Sequence, residues 1–112
     1  MVAFTLMQGV GMTIKEVINR IGYFRNKQNV SARELSLRIG KHDTYVNKLE
    51  SLDFNLPVTI LLEIIGALAI SCEEFFSNNF TTYQLDKTVY DNFVLLSKAN
   101  KDAIITIMQS MK

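Results

Sequence analysis

Apolar positions along this chain recur at spacings of three and four, the period of a helix with one buried face. Ile14, Val17, Ile18, Ile21 and Phe24 form such a stripe over residues 13–27, with Thr13 placed to cap it. Ser31-Ala32-Arg33-Glu34 has the spacing of a capping box and opens a second helix whose Leu35 and Ile39 point inward. Gly40 ends that helix, where a backbone free to take positive φ is wanted. A third helix is expected over 43–51, with Val46 and Leu49 on its inner side, followed by a loop over 52–56. Pro57 suits the start of a fourth helix reaching residue 69, with Leu61, Ile64, Ile65 and Leu68 in its core stripe. Ser71-Cys72-Glu73-Glu74 repeats the capping box and starts a short fifth helix bearing Phe75 and Phe76.

After a polar stretch over 77–82, two more helices are predicted. One spans 83–98 with Leu85, Val89, Phe93 and Leu96 on one side; the other is capped by Asn100 and carries Ile104, Ile107, Met108 and Met111. The pattern predicts an all-α chain, with five helices in 13–79 and a C-terminal pair in 80–112. Tyr90, Ile105 and Met108 exceed what a single buried face needs, so the pair is expected to pack back on the domain and supply a dimer surface. Residues 1–12 read as an N-terminal extension, with Met12 an alternative start.

Composition narrows the classes. Hydrophobic residues make up 48% of 112, with one proline, so one compact helical core is within reach. The lone Cys72 allows no internal disulfide, which fits a reducing cytoplasmic setting, and it reads as a small buried hydrophobe. One histidine and one cysteine exclude a Cys/His zinc site within the chain, and no cofactor or small-molecule ligand is implied. The first eleven residues lack a basic leader and a small-residue cleavage site, and the longest apolar stretch, 58–72, is too short for a membrane span. No nucleophile–base pair stands out, so an enzyme is not expected.

Charge is uneven. Residues 20–48 hold seven cations (Arg20, Arg25, Lys27, Arg33, Arg38, Lys41 and Lys48) against Glu34 and Asp43. Residues 49–80 hold five carboxylates and no cation. A basic face for a polyanion is the natural reading.

The segment 32–51 joins these observations. Two short helices meet across a turn containing Gly40; Ser36 is small enough for a close crossing, and Leu35, Ile39, Val46 and Leu49 set the angle. With Ser31-Ala32-Arg33-Glu34-Leu35-Ser36, Ile39-Gly40, Tyr45-Val46-Asn47-Lys48-Leu49-Glu50, Leu61-Leu62-Glu63-Ile64-Ile65 and Ile70-Ser71-Cys72-Glu73-Glu74-Phe75-Phe76, the chain resembles the Cro/C1-type (XRE-family) helix-turn-helix transcriptional regulators over about 14–78. The resemblance implies a five-helix, lambda-repressor-like DNA-binding domain, double-stranded DNA as partner, a homodimer, and sequence-specific binding as a repressor. It places His42, Asp43, Thr44, Asn47 and Lys48 on the face offered to bases, and Ser31, Arg33, Lys41 and Tyr45 near phosphates. Three of these have a plainer reading: Lys48 as a solvated lysine, Asp43 as a favourable charge at a helix start, His42 as a helix-start residue; Glu50 reads as structural. Ala32, where that family often has Gln, and Asp43, where Arg or Gln is common, depart from its pattern, as does the loop Ser51-Leu52-Asp53-Phe54. These support the alternative of a protein-interaction module on the same fold with weak or no DNA binding.

Overall fold

In a computed structural model, residues 11–51 and 55–112 are described. Most of the expected N-terminal extension, and Leu52, Asp53 and Phe54 of the expected loop, lie outside them. The described residues are helical or irregular, with no strand among them: α1 (Ile14–Lys27), α2 (Ala32–Arg38), α3 (Tyr45–Ser51), α4 (Val58–Ala67), α5 (Cys72–Phe76), a 3₁₀ turn (Phe80–Thr82), α6 (Tyr83–Val94) and α7 (Lys98–Ser110). The chain divides into two compact units, one reaching Phe75 and one beginning at Phe76.

The first unit is closed around Ile21, Phe24, Leu35, Val46, Leu49, Ile64, Leu68 and Phe75, each sealed from solvent or nearly so. The Phe24 and Phe75 rings meet with centroids 5.9 Å apart, joining α1 to α5. The expected stripe on α1 is turned slightly: Val17, Ile21 and Phe24 are buried, but Ile14 is 46% exposed and Arg20 takes a buried place. Thr13 caps α1 by accepting from the Glu16 amide, and Ser31 caps α2 by accepting from Glu34. Glu34 turns its carboxylate forward to Arg38 at 2.6 Å, an i,i+4 pair.

Helix ends leave carbonyls without partners inside the helix, and long side chains from neighbouring helices reach them here. Arg38 donates to the Ala67 carbonyl and Gln28 to that of Leu68, at the end of α4; the buried Arg20 donates to the Phe75 carbonyl at 2.8 Å. Left-handed backbone at Asn29, Gly40 and Ala69 ends α1, α2 and α4. Cys72, expected to be buried, is exposed: it is the first residue of a one-turn helix whose buried positions are Glu74 and Phe75.

The second unit has no buried residue in α6 or α7. Its helix boundaries differ from those expected. α6 stops at Val94, and Ser97, three residues before Asn100, caps α7 by accepting from the Asn100 amide. Serine and asparagine cap about equally well, and a start at Ser97 gives α7 an extra turn, opened by the Lys101 amide donating to the Ser97 carbonyl at 2.9 Å.

Candidate nucleic-acid interface

α2 and α3 cross closely because Ser36 is small and its hydroxyl is used twice. It donates to the Ala32 carbonyl at 2.8 Å and accepts from the Val46 amide at 2.9 Å. One of the unpaired amides at the start of α3 is thereby satisfied from α2, and the crossing is pinned by a hydrogen bond as well as by Leu35, Val46 and Leu49. Gly40, with φ 71°, lets the chain reverse, and the Lys41 amide donates to the Ser36 carbonyl at 2.9 Å. The serine at this crossing was legible as a small residue; its hydrogen bonds were not.

A second clamp holds α3 to α1. Arg25 donates to Glu50 through Nε at 3.0 Å and Nη2 at 2.8 Å, and its Nη1 donates to the Val30 carbonyl at 3.0 Å. The side chains are 15% and 20% exposed, and the two-pronged geometry raises the guanidinium pKa through the Glu50 hydrogen bond first, against the opposing cost of burial. Glu50 is structural, as expected, and its partner twenty-five residues away had no local signal.

The helical part of α3 starts at Tyr45, two residues later than expected, so His42, Asp43 and Thr44 sit in the turn that leads into it. The Tyr45 amide donates to the His42 carbonyl at 2.9 Å. His42 Nδ1 lies 3.0 Å from Asp43 Oδ1 and 3.1 Å from Thr44 Oγ1, which knits the turn together. Asp43 also faces Arg33 of α2, with Oδ2 3.6 Å from Nε. Asn47 and Lys48 stand exposed on the side of α3 opposite Val46 and Leu49. Ser31 and Arg33 are exposed at the start of α2; Lys41 and Tyr45 are half-buried, with Nζ 5.6 Å from the ring centroid. The nine residues thus fall on the start of α2, the turn and the outer side of α3.

Burial redistributes the basic character of residues 20–48. Arg20, Arg25 and Arg38 are held by Phe75, Glu50 and Glu34 as parts of the fold. Lys48 has no ion-pair partner among the described residues and is the exposed cation of α3.

Two short helices at a serine-pinned crossing, within a closed five-helix unit, can be compared with known families. The family model Helix-turn-helix matches residues 21–75. This part of the chain belongs to that family, in its Cro/C1-type form. The match ends at Phe75, where the first compact unit also ends. No curated protein and no solved structure matches the chain. The helix-turn-helix family carries DNA-binding transcription regulation, with double-stranded DNA as the partner. The second helix of the motif, here α3, is the one that meets the major groove in this architecture. No described helix is long and apolar enough to cross a membrane.

Proposed function

We propose that the protein is a sequence-specific repressor that binds double-stranded DNA as a homodimer in the cytoplasm. The observation that carries this reading is the outer side of α3 with the turn before it: Asn47 and Lys48 exposed, and His42, Asp43 and Thr44 grouped beside them on a rigid support.

Each side chain has a chemical counterpart in the major groove. Lys48 donates to guanine O6 and N7, Asn47 pairs with adenine, Asp43 accepts from a cytosine amino group, and Thr44 meets a thymine methyl. His42 completes the polar edge. Ser31, Arg33, Lys41 and Tyr45 set the register on phosphates. The Arg33–Asp43 approach keeps a carboxylate near DNA tolerable by placing a cation beside it. A two-fold dimer sets its recognition helices about 34 Å apart and reads a near-palindrome. Repression is the action that operator occupancy achieves by itself.

The test is selection of bound sequences from a random duplex pool, with Lys48→Ala and Thr44→Ala in parallel. A near-palindrome is expected, with one base step relaxed in each variant and about 1–3 kcal/mol of discrimination lost at that step. Absence of any enriched sequence, with affinity unaffected by salt, would replace this reading with the protein-interaction module.

A further inference from the structure

α4 keeps one side outside the core. Ile64 and Ile65 face inward and Leu68 follows them at the helix end, all at 2% exposure or less. On the opposite side Val58, Thr59, Leu62, Glu63 and Gly66 are exposed, with Val58 at 69% and Leu62 at 50%. Val58, Leu62 and Gly66 follow one another at intervals of four, so they form one oblique row, and Thr59 and Glu63 run beside it.

Gly66 is the odd member of the row. Its backbone is ordinary helix, where glycine is less favourable than alanine. A methyl group there would meet no described neighbour within 4 Å, so no crowding inside the unit calls for a glycine. Nor does the helix end, because the left-handed residue after α4 is Ala69, three positions further on. A bare stretch of backbone next to two exposed apolar side chains lets a second helix approach closely, with its own ridge in the notch.

Charge narrows the occupant. Residues 49–80 hold five carboxylates and no Lys or Arg. Glu63 beside the row and Glu73 at the start of α5 are exposed and have no ion-pair partner among the described residues. Arg38, which reaches the Ala67 carbonyl at the end of α4, is already paired with Glu34. Such a face repels nucleic acid and anionic lipid and attracts a cationic protein surface. We propose that the outer side of α4 docks a helix of another protein, one that carries an apolar row with Lys or Arg beside it. The partner's row lies along Val58 and Leu62, its backbone comes closest at Gly66, and its cation pairs with Glu63. The surface shares no residue with the α2–α3 face and does not depend on the DNA-binding reading.

An amide-shift titration of the full-length chain tests this with two synthetic amphipathic helical peptides, one built of Leu and Lys, the other with Gln in place of every Lys. The lysine peptide is expected to bind saturably, to shift the amides of residues 58–66, and to bind about tenfold more tightly than the glutamine peptide. Leu62→Asn is expected to raise its dissociation constant about tenfold or more. Glu63→Gln should remove most of the gap between the two peptides. Gly66→Ala is the sharpest variant. It is expected to raise the melting temperature by about 2–5 °C while weakening the lysine peptide about fivefold, a combination that a folding defect cannot produce. Shifts confined to α6 and α7, Leu62→Asn or Glu63→Gln proteins that bind like the wild type, or a stabilised Gly66→Ala protein with undiminished binding would overturn the proposal. So would self-association that Leu62→Asn abolishes, since a second copy would then hold this face.

Discussion

The helix-turn-helix unit and the C-terminal unit are both made of amphipathic helices, and only the first buries its apolar sides within the unit. Phe24, Leu35, Ile64 and Phe75 come from four different helices and shield one another. In α6 and α7 the stripe is as regular, yet Leu85, Val89 and Tyr90 remain mostly exposed. Two helices can cover only the facing edge of each other, whereas five can surround a centre. Helical periodicity therefore marks a surface that needs a cover, and the number of neighbouring elements decides whether the unit itself supplies one.

The contrast is broken most severely in the core. Phe75→Ala is expected to destabilise the first unit by about 3–5 kcal/mol, against under about 0.5 kcal/mol for Leu95→Ala in the second, measured by denaturant unfolding. Equal losses would mean that the two units are not so differently packed. Next comes the clamp between α1 and α3. Glu50→Ala leaves the Arg25 guanidinium mostly buried without its carboxylate, and a loss of about 2–3 kcal/mol is expected in the same assay. Because the folded-state pKa of Arg25 is raised, its contribution is complete below the ordinary guanidinium value and fades only as pH rises through the raised one. Thermal melts across the neutral and mildly alkaline range should show no step from this group.

A smaller effect is expected at the crossing. Ser36→Ala fills the same space but leaves the Val46 amide without its acceptor, at a cost of about 1–2 kcal/mol. Amide exchange at Val46 should quicken more than at Leu68, whose own bond to Ile64 is untouched. The smallest change runs the other way. Ala69 has φ 55°, a conformation glycine adopts without strain, so Ala69→Gly is expected to stabilise the first unit by about 0.5–1 kcal/mol. A lower melting temperature for that variant would mean that the turn after α4 is held by something besides its backbone.

Local chemistry was readable along the chain: the helical periods, the Thr13, Ser31 and Ser71 caps, the left-handed turn at Gly40, and the serine–glycine spacing of the motif. These depend on residues within about four positions of one another, so the sequence by itself determined an all-helical chain and where its helix-turn-helix lies. What pairs across the chain was decided by the tertiary structure. Only packing brings Arg25 to Glu50, Arg20 to the Phe75 carbonyl and Arg38 to the end of α4, and so converts three charges of an apparent DNA-binding patch into fastenings of the fold. Burial likewise put Cys72 outside and Arg20 inside. A one-turn helix has too few positions to show its inner side, and an arginine on an apolar stripe is stable there only where a free carbonyl waits for it.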